Sequence, residues 1–175
     1  MKSHIKLIRP SKVYAPQIWQ YRQEFLEADE SLAGAFGLDT SDSAENWIET
    51  KILDEREETM QKGFVSATTY FAINTDDNQL VGIIQLRHRL NEFLMNFGGH
   101  CGYSIRSSER RKGYATEMLR LVKEEAKKMG LKKILVVCDK ENIASAKTIL
   151  SNGGILENEV LEDGEITQRY WINLV

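Results

Sequence analysis

Ser107-Ser108-Glu109-Arg110-Arg111-Lys112-Gly113-Tyr114-Ala115-Thr116 places three successive cations and a glycine directly before an amphipathic helical pattern. The free N–H groups of a first helical turn point outward and carry about half a positive charge, so anionic oxygens bind there without a dedicated side chain. Gly113 and the small Ala115 let a bulky anion approach the backbone. Arg110, Arg111 and Lys112 add charge-assisted donors suited to phosphate. Cations at a helix N-terminus oppose the macrodipole at a cost of roughly a few tenths of a kcal/mol, and an anionic ligand removes that conflict. The competing reading is a solvated basic turn. Neither Gly-x-x-x-x-Gly-Lys-Ser/Thr nor Gly-x-Gly-x-x-Gly occurs, so this is not one of those two phosphate loops.

The elements that must position this turn are legible on both sides of it. His100 to Arg106 reads as a strand after Gly98-Gly99. Tyr114 to Met129 reads as a helix, with Tyr114, Met118, Val122 and Ala126 on one face, a Glu124–Lys128 pair, and Gly130 as its stop. Ile134 to Cys138 is a continuous apolar strand, Asn142 to Leu150 a helix stopped by Gly153-Gly154, and Arg169 to Asn173 a closing strand. A strand, helix, strand order implies a right-handed crossover and local parallel pairing. Upstream, Ile5 to Ile8 is a short strand, and Pro10-Ser11 opens a helical pattern with Ile18, Tyr21, Phe25 and Leu26 on one face, in which Pro16 lies in the first turn or delays the start. Residues 29 to 41 are loop-like. Asp42 with Glu45 resembles a capping box for a helix carrying Ala44, Trp47, Ile48 and Ile52, whose acids at 54 to 58 face solvent. Thr69 to Ile73 and Leu80 to Leu86 form a hairpin across Asn74-Thr75-Asp76-Asp77-Asn78, and the unbroken apolar run of its second strand implies helices on both faces.

The 175 residues are 42% hydrophobic and 28% charged, the composition of an ordinary globular domain. A chain of this size buries about 70% of its extended surface without disulfide or metal. With no repeat or linker, residues 1–175 read as one domain. The net charge of −3, from 26 acids and 23 bases, predicts neither a nucleic-acid nor a membrane-surface protein. The charged start Met1-Lys2-Ser3-His4-Ile5-Lys6 leads into an apolar stretch broken by Arg9 and Pro10, so no secretory segment is expected and the location reads as cytoplasmic. Cys101 and Cys138 lack metal or disulfide spacing and read as small buried hydrophobes.

The pattern Arg110-x-x-Gly113-x-Ala115, after a strand ending Gly102-Tyr103-Ser104-Ile105-Arg106, resembles the acetyl-CoA pyrophosphate motif of the GNAT superfamily of N-acetyltransferases. Asn142-x-x-Ser145 followed by Gly153-Gly154 is similar to that superfamily's second cofactor segment, and the ordered resemblance covers residues 98 to 156. It implies an α/β fold with a mixed, mostly antiparallel twisted sheet flanked by helices and a parallel, splayed pair at the cofactor site. It implies acetyl transfer from acetyl-CoA, without metal, to a primary amine of a small molecule or peptide in a ternary complex. Arg110, Arg111, Lys112, Gly113, Tyr114, Ala115 and Thr116 would hold the pyrophosphate. Tyr103 and Ile105 would pair their backbone with the pantetheine arm, and a backbone donor there would meet the thioester carbonyl. Asn142 and Ser145 would lie at the pantetheine or thiol end, and Asn142 is equally suited to capping its helix.

One departure concerns catalysis. Many members carry a tyrosine seven residues after the asparagine to protonate the departing thiolate, and here that residue is Ile149. A thiolate whose pKa is near 8.5 leaves with little help, and Ser145 or water is then the candidate acid. An amine that is mostly protonated at neutral pH also needs a base, for which the resemblance draws attention to His88, Glu92 and His100, with His100 the first choice. Trp19, Tyr21, Phe36 and Trp47 fall where members build the acceptor pocket, and Ala33-Gly34-Ala35-Phe36-Gly37 has the composition of a mobile lid. The alternative is a non-catalytic acyl-CoA-binding sensor on the same fold. The C-terminal Tyr170-Trp171-Ile172 and the sheet edges are candidate surfaces for a homodimer.

Overall fold

The computed structural model describes residues 4–175; Met1-Lys2-Ser3, the start of the charged N-terminal stretch, lies outside them. Ile5–Ile8 (β1), Ala67–Asn74 (β2), Leu80–Arg87 (β3), Cys101–Ile105 (β4), Lys133–Asp139 (β5), Ile155–Glu162 (β6) and Glu165–Asn173 (β7) build one seven-stranded sheet in the order β1-β2-β3-β4-β5-β7-β6. Neighbours are antiparallel except β4 and β5, which the crossover helix Tyr114–Lys128 (α3) makes parallel. The mixed, mostly antiparallel sheet is the one that the sequence implied.

The helices cover the sheet on two sides. Ala15–Glu27 (α1) and Ala44–Leu53 (α2) bury Ile18, Tyr21, Phe25, Trp47 and Ile48 against Phe71, Ile73 and Ile83. On the other face, Met118, Leu119, Val122 and Ala126 of α3, with Ile149 of Ile143–Ser151 (α4), pack on Val81, Ile84, Ile134 and Val136. β3 is buried from Leu80 to Leu86, as an apolar strand between two helical layers must be. Each fully buried Leu, Ile or Phe there contributes about 1.5–3 kcal/mol relative to exposure, which makes the sheet a rigid frame for whatever lies at its edges.

Local chemistry decides the ends of these elements, and several differ from expectation. Pro16 sits in the first turn of α1, preceded by a 3-10 turn, Lys12–Tyr14, capped by Ser11. The cap of α2 is Ser43 rather than Asp42: its extended backbone aims Oγ at the Asn46 N–H, 3.1 Å away. On α3, Lys128 pairs with Glu125 at 2.7 Å rather than with Glu124, because i,i+3 neighbours share a helix face as closely as i,i+4 ones.

The sequence reading missed β6. Its side chains are exposed from Ile155 to Glu159, so no buried face imposes a period of two on the sequence. It also missed the π-helical turn Leu94–Gly98. The dimer surface proposed at Tyr170-Trp171-Ile172 is corrected: this segment lies within β7 between β5 and β6, with Tyr170 and Ile172 buried. Cys101 and Cys138 are buried free thiols, as expected.

Candidate active site

The sheet opens between its two parallel strands. Arg87 N–H donates to His100 O at 2.7 Å and Arg106 N–H to Val81 O at 3.0 Å, so alternation along β4 turns the backbone of Cys101, Tyr103 and Ile105 toward β5. Cys101 opposite Val136 is the one register pair between β4 and β5 among the described residues. Beyond it the strands diverge, and the Ile105 carbonyl accepts from Arg110 Nε at 2.9 Å instead. The N–H and C=O of Tyr103 and the N–H of Ile105 therefore face a gap, an internal sheet edge fitted to an extended guest.

At the open end of this gap the chain passes through a 3-10 turn, Ser107–Glu109, into a loop with Arg111 at φ 62° and Gly113 at φ 82°. Gly113 is the N-cap of α3 and no side chain caps the helix, which leaves its first-turn N–H groups exposed to a ligand. A Cβ on Gly113 would meet nothing within 4 Å, so open space lies over this backbone. The three cations are less available than the sequence suggests. Arg110 Nη2 donates to Glu30 at 2.5 Å and Lys112 Nζ to Glu109 at 3.0 Å, while Arg111 has no partner among the described residues. Side-chain amides anchor the helix start: Asn74 donates to Tyr114 Oη at 3.2 Å and Asn152 to the Thr116 carbonyl at 3.1 Å.

Across the gap, Asn142 caps α4, its Oδ1 accepting from the Ser145 N–H at 3.1 Å. Ser145 Oγ stands 2.7 Å from Tyr103 Oη, so two hydroxyls from opposite walls meet. Burial pushes the Tyr103 phenol up to about 12, with the Ser145 hydrogen bond acting the other way, and the phenol keeps its proton at neutral pH. The Cys138 thiol next to Ser145 is likewise pushed up by burial, to about 11. Ile149 is fully buried and abuts Gly154. Its side chain is core, and it offers no proton to the site.

The closed end of the gap is built around His100. Its N–H donates to Leu135 O at 2.7 Å, and its Nδ1 accepts from the Leu135 N–H at 2.9 Å, which leaves the proton of the neutral ring on Nε2. Burial, and then the charge of Arg87, lower its pKa to about 4. His88 has both ring nitrogens engaged, by Ser66 at 2.9 Å and Thr68 at 2.8 Å, and Glu92 is exposed beside the π-helical turn. On the α1/α2 face, Gly34 (φ 79°) lies so close to β4 that a Cβ would come within 2.5 Å of Gly102 O. Its loop is tied down as well as wedged, since Ala35 and Leu38 are buried and Arg22 binds the Leu38 and Asp39 carbonyls. Phe36, 67% exposed, projects outward beside Phe64.

Sequence reasoning placed the Arg110 to Thr116 segment at a helix start because it is contiguous, and α3 begins there. It missed the Tyr103 hydroxyl, the Gly34–Gly102 contact and the Glu30–Arg110 pair, none of which leaves a local signal.

A parallel strand pair that parts beside an uncapped helix N-terminus can take an extended guest with an anionic end. A family model described as acetyltransferase (GNAT) domain matches residues 12–155, and the chain belongs to that family of acetyltransferases. Solved structures with the same fold include the microcin C7 self-immunity acetyltransferase MccE in complex with acetyl-CoA and AMP, at 19% identity and TM-score 0.72 over 98% of this chain and 93% of that one. The Salmonella typhimurium acetyltransferase that modifies the N-terminal serine of ribosomal protein L7/L12 matches at 17% identity and TM-score 0.68, covering 98% and 96%. The ribosomal-protein-S5-alanine acetyltransferase of Vibrio fischeri matches at 17% and 0.69, covering 99% and 94%. No curated protein sequence matches.

Acetyl-CoA, the donor of this family, fits the residues present: an unpaired strand edge for its arm and exposed helix N–H groups for its diphosphate. Among the described residues no group of three or more His, Cys, Asp and Glu side chains could hold a metal ion, and no helix is long and apolar enough to cross a membrane.

Proposed function

We propose that this chain, acting as one domain over residues 1–175 in the cytoplasm, transfers the acetyl group of acetyl-CoA to a primary amine of a small molecule or peptide by direct attack in a ternary complex. The observation that carries this reading is the gap beyond Cys101–Val136, faced by the backbone of Tyr103 and the N–H of Ile105, with the bare start of α3 at its mouth. Bound acetyl-CoA supplies the activated thioester. The N–H groups from Gly113 to Thr116, with Arg111, hold its diphosphate; Tyr103 and Ile105 hold its arm and orient the carbonyl toward a backbone donor.

Ser145 donates a proton to the departing sulfur, its hydroxyl positioned and replenished by Tyr103. His100, the base the sequence favoured, is ruled out for that role: its Nδ1 is held by the Leu135 N–H and its Nε2 carries the proton of the neutral ring, so water takes the amine proton as the N–C bond forms. The ribosomal L7/L12 and S5 enzymes support an amine acceptor and leave its identity open. The pairing of Arg110 with Glu30 and of Lys112 with Glu109 argues against nucleic acid as the partner. The exposed edge of β6 is the surface for a homodimer.

The test is heat protection by acetyl-CoA together with thiol release across a panel of amines. Protection with turnover supports the proposal, because a ligand that binds only the folded state raises its melting temperature. The buried Ile149, which has no proton to give, favours a second reading as an acyl-CoA sensor. Protection without turnover on any amine selects that reading, and absence of protection overturns both.

A further inference from the structure

The face of the sheet that α1 and α2 only partly cover carries a row of polar groups without partners. Thr69, Gln85 and Gly102 stand opposite one another across β2, β3 and β4. Thr69 is fully buried and its Oγ1 has no hydrogen-bond partner, and Gln85, 6% exposed, makes no side-chain hydrogen bond among the described residues.

Two residues along β3, on the same face, lies Arg87. Its Nη1 donates to Gly98 O at 3.0 Å and Gly99 O at 2.9 Å. Its Nη2 and Nε have no partner among the described residues, and Nη2 is 3.8 Å from the place a Cβ on Gly102 would occupy. Gly102 follows Cys101 at the apex of the β4–β5 gap, and the backbone of Gly34 closes over it.

The two buried arginines each hold a carboxylate, Arg106 that of Glu24 and Arg169 that of Glu157, whereas Arg87 is half-buried. Arg87 holds none among the described residues, and burial lowers its pKa, with only the Cys101 thiol acting the other way. A guanidinium with one nitrogen pinned to two carbonyls and the Nε–Nη2 edge left free is a rigid fork, the shape that takes a planar carboxylate through two parallel hydrogen bonds.

We propose that the acceptor is an amine that itself carries a carboxylate, which docks on the Nε–Nη2 edge of Arg87 with the Gln85 amide beside it, so that Arg87 is a specificity-determining residue. The inference rests on the acetyltransferase reading and deepens it. The carboxylate could belong to a free amino acid or to a peptide, and the two sources share this chemistry.

The probes are the standard amino acids, short peptides with a free or an amidated C-terminus, and peptides with an acidic side chain, each compared with its carboxamide. Melting temperature in saturating CoA reads binding, and thiol release from acetyl-CoA reads turnover. At least one carboxylate should raise the melting temperature and be acetylated, and its carboxamide should lose about tenfold or more in kcat/KM, the scale of penalty when a built polar site meets an analogue lacking its group. Arg87→Gln should abolish that discrimination and leave protection by acetyl-CoA unchanged. Gln85→Leu, which leaves the Gly98 and Gly99 contacts alone, should weaken it several-fold and stands in if Arg87→Gln fails to fold. Equal binding and turnover of carboxylates and carboxamides overturns the inference, as does binding of no carboxylate or discrimination that survives both substitutions. Loss of acetyl-CoA protection in the unmodified protein strikes the underlying reading instead.

Discussion

Tyr103 Oη and Ser145 Oγ meet at 2.7 Å across the opening between β4 and α4, joining residues 42 positions apart in the chain. With Ile149 buried in the core, this hydroxyl pair is the proton route in the mechanism proposed above.

Ser145→Ala should lower kcat by about 10- to 100-fold, the range for loss of one general acid. Tyr103→Phe should do less, because it removes the partner and not the donor. The double variant should be no worse than Ser145→Ala, since groups acting as a unit are not additive. Steady-state kinetics, with KM for acetyl-CoA nearly constant, checks this; additive losses would separate the two roles.

Gly34→Ala should destabilise the fold by about 1–3 kcal/mol, because the residue sits at φ 79° and its new Cβ would come within 2.5 Å of Gly102 O. Thermal unfolding measures the loss. Gly37→Ala, also at positive φ with open space around it, is the control that carries the backbone cost alone.

Gly113→Val should act on the ligand more than on the fold. Nothing lies within 4 Å of the added Cβ, so the folding cost is the backbone strain at φ 82°, about 1–3 kcal/mol. The branched side chain would stand in the space over the α3 N-terminus, and CoA affinity should fall at least about tenfold, or 1.4 kcal/mol. Calorimetric titration with CoA decides it, and unchanged affinity would place the diphosphate elsewhere.

His100 sets a pH dependence of stability. Its folded pKa of about 4 lies below the ordinary histidine value of 6.5, so between these the unfolded chain binds more protons. The folded state keeps its full advantage above pH 6.5 and loses it as pH falls toward 4, by up to about 3 kcal/mol. His100→Asn keeps an acceptor for the Leu135 N–H without a titrating ring. Unfolding followed from pH 7 to 5 should show a shallower slope in that variant.

What local sequence could encode was encoded clearly. The apolar runs of β3 and β5 declared strands covered on both sides, the four-residue repeat of α3 declared its buried face, and Gly113 after three cations declared the start of that helix. β6 was hidden because it lies at a sheet edge with its side chains in water, so no periodicity was imposed on it.

The site itself depended on tertiary structure. Arg110 and Lys112 find carboxylate partners in Glu30, 80 residues from Arg110, and in Glu109. The gap exists because β4 and β5 pair once and part, Tyr103 finds Ser145 only across that gap, and Arg87 is left without a carboxylate by the placement of every other acid. Periodicity and caps act over one or two turns of chain and are written in the sequence. Unpaired edges and unmatched charges are properties of what long-range packing brings near, and only the assembled sheet defines them.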